Sequence, residues 1–238
     1  MLHVAAIFRR ELSGYFGQPL AYIALTIFMV LLAFPTLFLQ DVLLAEVATM
    51  RVPFFWTGVA FLFLIPALTM RLIAEEARTG SLELVATLPI TPTELVFGKW
   101  LAAVAMVAVA LLLTLSFPIV LGSYATLDPY TVIAGYLGMF LMGSAFAAVG
   151  VAASAVTRYQ VLAFLVAFGI IAIPFALGFA LEAVDVGWLN VVQYLTFEYH
   201  FSNLARGVLD SRSFMFFGAI IAVALRGAVL VLQTRRLS

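Results

Sequence analysis

Glu198 and His200 stand two residues apart, close enough for a carboxylate and an imidazole to share a proton as an acid/base pair. A capped, solvated turn fits the same two residues, and spacing alone favours the turn. His3 is the only other histidine, and without an H-E-x-x-H arrangement a histidine-rich metal centre lacks its ligands. Gly98-Lys99 has no glycine at the upstream position and is followed by Trp100, not Ser or Thr. It is therefore not the loop that cradles ATP phosphates. Leu12-Ser13-Gly14 resembles three residues of a nucleotide-binding signature, too short a match to carry meaning. There is no cysteine, which removes thiol nucleophiles, thiolate metal sites and disulfides. The side chains needed for catalysis do not converge, and the reading is of a chain that is not an enzyme and holds no cofactor.

What remains is one charged stretch, residues 70–99, set between two apolar runs. The run before it contains Pro66 and enters 70–78 without an obvious stop, so the helix is expected to continue past the apolar residues. Thr79-Gly80 then breaks it. Ser81 is a good N-cap, and Glu83 places a carboxylate in the first turn of the next helix, where the macrodipole favours it. Pro89 ends that helix near Leu88. Thr91-Pro92-Thr93-Glu94 follows, a capping box with proline at the first helical position. The spacing thus predicts a two-turn helix over 82–88. Leu82, Leu84, Val85, Ala86 and Leu88 cover most of it, with Glu83 and Thr87 on one edge. So short a helix is marginal in water and needs a lipid surface or a protein groove to hold it. Glu75, Glu76 and Arg78 would flank a soluble partner seated there, since acids beside an anionic leaflet are otherwise unfavourable.

The rest of the sequence positions that stretch. Apolar residues are 65% and charged residues 10%, with a mean hydropathy of +1.17, far from soluble globular domains. Continuous apolar runs cover approximately 20–39, 53–70, 95–121, 130–156, 161–181 and 214–232. Each approaches the roughly 20 helical residues that a bilayer core of about 30 Å requires. The runs do not alternate, which favours helices over a membrane β-barrel. The expectation is an all-α integral membrane protein with six transmembrane helices and one domain over 1–238. Net charge is zero, so nothing points to nucleic acid. With both termini cytoplasmic, Arg9, Arg10, Arg71, Arg78, Lys99, Arg158, Arg235 and Arg236 lie inside and Arg51, Arg206 and Arg212 outside. This asymmetry satisfies the positive-inside rule.

Residues 1–18 read as an interfacial helix and not as a cleavable signal peptide, because Arg9, Arg10 and Glu11 interrupt any apolar core. At 100° per residue, Val4, Ala5, Phe8, Leu12, Tyr15 and Phe16 share one face, with His3, Arg9, Arg10, Ser13 and Gln18 opposite and Ile7 as the exception. The fourth run is rich in small residues, among them Gly135, Gly138, Gly143 and Gly150, which suits a helix central to a bundle. The segment 182–213, with Trp188, Tyr194 and Tyr199, is expected outside as a pair of short re-entrant or interfacial helices. Arg226 falls within the last run, where a charge is costly unless it snorkels or finds water or an acceptor.

The run IAEEARTGSLELVATLPITPTELVFGKW resembles the segment between the second and third spans of ABC-2 type transporter permeases, especially the gliding-motility-associated and copper-operon accessory subgroup. FRRELSGYFGQPLAYI at 8–23, AAVGVAASAVTRYQVLAF at 147–164 and YHFSNLARGVLDSRSFMFF at 199–217 are similar to the same family in the same order. The resemblance implies a non-catalytic, six-span permease subunit of an ATP-driven exporter in the bacterial or archaeal plasma membrane. ATP and Mg would be bound by a separate ABC ATP-binding subunit, and a second permease half, identical or not, would complete the unit. It also implies that the coupling segment, 71–98, meets the ATPase through Glu75, Glu76, Arg78, Thr79, Gly80, Ser81, Leu82, Glu83, Leu84 and Val85. Arg226 departs from the wholly apolar last span of such permeases and marks a possible intramembrane functional position. The rival reading is a non-transporting scaffold that signals to an outer-side partner, although no large outer domain is present to receive the signal.

Overall fold

Prolines, glycines and apolar runs set the element boundaries in the computed structural model, which describes residues 2–39, 49–81, 90–124, 127–182 and 193–237. Along the chain come α1 (Leu2–Phe16), α2 (Pro19–Phe34, closing in a π-helical turn Pro35–Leu39), α3 (Arg51–Thr69) and α4 (Ala74–Thr79). They are followed by α5 (Pro92–Thr114), α6 (Ser116–Tyr124), α7 (Pro129–Val156), α8 (Gln160–Glu182), α9 (Phe197–Ala205) and α10 (Ser211–Leu237). No strand occurs among the described residues. Five helical stretches there are long and apolar enough to cross a membrane, and the bent pair formed by α1 and α2 makes up to six. The protein is an all-α integral membrane protein.

α7 is the axis of the bundle, with 78% of its apolar window buried against 22% for the stretch that contains α10. Its glycines are the points of closest approach. A Cβ on Gly135 would lie 2.2 Å from the Phe54 ring, and one on Gly150 2.0 Å from Thr69 Oγ1. Small residues let helix backbones approach where no hydrophobic force separates protein from lipid. α7 starts on Asp128, whose Oδ1 accepts from Tyr130 N at 3.1 Å, with Pro129 at the first helical position.

α5 and α6 together span the third apolar run, with a turn at Leu115. Pro118 has no N–H to offer the carbonyl four residues earlier, that of Thr114. Tyr136 on α7 supplies the missing donor, its hydroxyl donating to Thr114 O at 2.9 Å.

α1 and α2 meet at 71°, a sharp bend at the Gly17–Gln18 break. The buried face of α1 is centred differently from the expectation. Among its described side chains Ile7 and Tyr15 are the buried apolar residues, whereas Ala5 and Phe16 are exposed. Ile7, the exception to the expected apolar face, is the packing residue. It sits on Gly98 of α5, where an added Cβ would come within 2.8 Å of Ile7 Cγ2. The stripe is completed by Glu11, which burial against a lysine makes an inward residue despite its charge.

α9 packs Phe197, His200, Phe201 and Leu204 inward at helical spacing. Of the pair of short helices expected over 182–213, only α9 falls among the described residues. Residues 183–192, with Trp188, lie outside them.

Candidate functional site

As expected, the second span continues past its apolar residues into the charged segment, as one stretch Arg51–Thr79, but its helical hydrogen bonding lapses in a turn at 70–73. Between α3 and α4 the chain makes a non-helical joint at residues 70–73, and the backbone groups this frees are taken up by side chains from three other helices. Tyr15 on α1 donates its hydroxyl to Leu68 O at 2.8 Å. Ser154 near the end of α7 donates to Met70 O at 2.9 Å and accepts from Ile73 N and Ala74 N at 3.0 and 2.9 Å. Lys99 on α5 donates from Nζ to Leu72 O at 2.6 Å. A buried helix break is tolerated only when its orphaned donors and acceptors find such partners.

Lys99 does more than close the joint. Its side chain is 0% exposed, and its ammonium also reaches Glu11 Oε1 at 2.8 Å and Glu76 Oε1 at 3.0 Å. Three donors meet three acceptors. Arg10 Nη2 binds the same two carboxylate oxygens, each at 2.6 Å, from a more exposed position. Two cations and two carboxylates therefore tie α1, α4 and α5 together with no net charge. A buried ammonium is tolerable only when paired and hydrogen-bonded in this way. Burial pushes the Glu11 carboxyl up, but Lys99 and Arg10 outweigh it and hold it below the ordinary carboxylate range. Arg71 adds a second clasp, its guanidinium lying over the Tyr15 ring at 4.9 Å and hydrogen-bonding Gln18.

The residues expected to meet a partner divide accordingly. Glu75 and Arg78 are exposed, but Glu76 is turned inward onto Lys99 and Arg10. Thr79 donates to Glu75 O at 3.0 Å and shares a hydrogen bond with Ser81 Oγ at 2.9 Å, while Ser81 also reaches back to Glu76 O at 3.4 Å. Gly80 ends α4 with φ 73°, in the left-handed region that only glycine enters without strain. Leu82, Glu83, Leu84 and Val85, and with them the short helix over 82–88, lie outside the described residues. On the far side of that gap Thr91 and Glu94 form the expected capping box, with Glu94 N to Thr91 Oγ1 at 3.2 Å and Thr91 N to Glu94 Oε2 at 3.0 Å.

Glu198 and His200 are not brought together as an acid/base pair, nor do they form a solvated turn. His200 is 5% exposed and stacks on Phe216 with ring centroids 4.1 Å apart. Its Nε2 faces Tyr194 O at 3.0 Å, an acceptor only, so the proton sits there and Nδ1 accepts from Ser213 Oγ at 3.3 Å. Burial lowers its pKa and favours the neutral form. Arg226 lies exposed on the outward face of α10, with no ion pair among the described residues.

Glu11 and Lys99 are the residues that sequence reasoning missed at this site. The available signal was a lysine just inside an apolar run and an acid on the apolar face of an amphipathic helix, two misplaced charges of opposite sign.

A bundle of apolar helices, with buried charges gathered at one end around a joint that leads out to 82–89, defines a multi-pass membrane protein. Its polar groups hold α4 against the end of the bundle. The profile of the family described as ABC-2 family transporter protein matches residues 19–232, most of the chain, and the protein belongs to that family. It is thus a membrane permease subunit of an ABC transporter. No curated protein matches the sequence.

Proposed function

We propose that this chain is the transmembrane half of an ATP-driven exporter, moved by a separate ATP-binding subunit that seats on residues 75–85. The observation that carries this reading is the joint at 70–73. α4 is fixed through Lys99, Glu11 and Arg10 to the interfacial helix and to α5, and through Ser154 to the central helix α7. A displacement of the segment beyond Gly80 therefore reaches three helices at once, as a rigid-body or hinge transition requires. ATP and Mg belong to the partner, and a second permease half completes the working unit. Both termini are cytoplasmic on the positive-inside asymmetry, with the joint on the same side. The kinship with gliding-motility-associated and copper-operon accessory permeases rests on the four similar stretches of sequence.

Leu84→Asp tests the reading. A charge placed in an apolar groove without a partner costs about 1–3 kcal/mol or more, so recovery of the ATPase with the permease should fall at least about fivefold while membrane insertion stays normal. Co-purification of the two subunits and ATP turnover of the recovered complex measure this. A Leu84→Asp complex that forms and turns over like wild type removes the segment from the coupling role.

A further inference from the structure

At the end of the bundle away from the joint, α3, α7, α8 and α9 enclose a cavity of about 540 Å³. This lies within the roughly 300–1,000 Å³ typical of small-molecule sites. Four of the five phenylalanines on its described walls come from two helices, Phe54 and Phe55 from α3 and Phe175 and Phe179 from α8, and Phe201 of α9 is the fifth. The rings brace one another, Phe55 against Phe179 at 5.0 Å and Phe175 against Phe179 at 5.2 Å between centroids, so the space is held open by packed side chains. Arg51, the first residue of α3, and Arg206, just after α9, line the same cavity. Phe54 and Phe55 follow Arg51 by three and four residues, about one helical turn or 5 Å deeper. Neither guanidinium is ion-paired among the described residues. Among the described lining residues two guanidiniums stand against one carboxylate, that of Glu198.

Positive charge where the helices begin or end and aromatic surface a turn below is the complement of an amphiphile with an anionic head. We propose that this cavity binds a single-chain anionic amphiphile, its chain among the four phenylalanine rings and its carboxylate or phosphate met by Arg51 and Arg206. The carboxylate or phosphate would accept charge-assisted hydrogen bonds from the guanidiniums. A cationic head is disfavoured by the same two groups. The site lies in one chain and needs neither the ATPase nor ATP, so it stands apart from the coupling reading.

The full-length chain, reconstituted in phosphatidylcholine nanodiscs, is photolabelled with a diazirine analogue of palmitate and the adducts are mapped by mass spectrometry. Adducts are expected on the peptides carrying Phe54–Phe55 and Phe175–Phe179. Palmitate and lysophosphatidate should compete and so report which head is preferred, whereas monopalmitin, phosphatidate and hexadecyltrimethylammonium should compete at least about tenfold less well. Arg51→Gln/Arg206→Gln changes two exposed side chains that have no ion pair among the described residues, should leave the fold intact, and should weaken labelling about tenfold. Gly58→Val should also block labelling, because a Cβ at Gly58 already stands 3.2 Å from the Phe175 ring and further atoms enter the cavity. Adducts only on lipid-facing peptides, equal competition by the neutral or diacyl compound, or unchanged labelling in the double arginine variant would each overturn the proposal.

Discussion

Lys99 shows how one side chain can hold a joint. Its ammonium has no route to water, so its stability comes wholly from Glu11, Glu76 and the Leu72 carbonyl. Removing it leaves two inward carboxylates facing a single exposed arginine. Breaking a buried pair by deleting one partner costs about 3–5 kcal/mol, most of it from the uncompensated charge left behind. Lys99→Met should therefore destabilise the solubilised protein by that amount. Adding Glu76→Gln to Lys99→Met should cost less than the sum of the single changes, because the second change removes a charge that the first left unpaired. Thermal unfolding in detergent of the four members of this cycle measures the coupling. Strict additivity would mean that Lys99 and Glu76 do not share the site. Glu11 and Lys99 are 88 positions apart, and no local rule links them. Their pairing was legible only as two charges, each out of place in its own segment.

Among the elements, five of the six expected spans stand as helices long and apolar enough to cross a membrane, because a run of about 20 apolar residues is a local signal set by the bilayer, and the first reaches that length only together with α1. The capping box at Thr91 and the stop at Gly80 were equally local, each fixed by the residue types at one turn. The break between α3 and α4 was not legible, since nothing in residues 70–73 forbids a helix. It exists because Tyr15, Ser154 and Lys99 arrive from elsewhere to occupy the freed backbone groups. The centre of the α1 face was misjudged for the same reason, with Ile7 defined by Gly98 on another helix. The close packing of α7 makes a further test. Gly150 has room for no side chain against Thr69, and overpacking of this kind costs about 1–3 kcal/mol. Gly150→Ala should lower the unfolding temperature, and Thr69→Ala in the same chain should recover part of the loss by removing Oγ1 and Cγ2. An unchanged unfolding temperature in Gly150→Ala would mean that α3 and α7 are farther apart at this crossing.

For the whole molecule, the question is what meets the outward face of α10. Arg226 lies there among Met215, Val223 and Leu230, nine residues before Arg235 and hence about 13 Å deeper along the helix. That depth is near the middle of a 30 Å core, where an arginine costs about 2.5–3.5 kcal/mol on insertion scales unless water or an acceptor reaches it. No acceptor for it lies among the described residues, and the carbonyl freed by Pro118 is already bound to Tyr136. Two environments outside the described residues would relieve the charge, a water-filled cavity shared with a second permease half or the headgroup layer reached by snorkelling. The two separate cleanly. If Arg226 faces a shared cavity, Arg226→Leu leaves insertion and assembly intact but changes the ATP turnover of the assembled complex by about tenfold or more, the size of one lost charge-assisted contact of about 1.5 kcal/mol. Arg226→Lys then restores only part of it, because an ammonium cannot fork across two acceptors. If the residue only snorkels, Arg226→Leu inserts more readily and leaves turnover untouched. Turnover of the reconstituted wild-type, Leu and Lys complexes at equal subunit ratio decides between a working charge in the interface and a tolerated one in lipid.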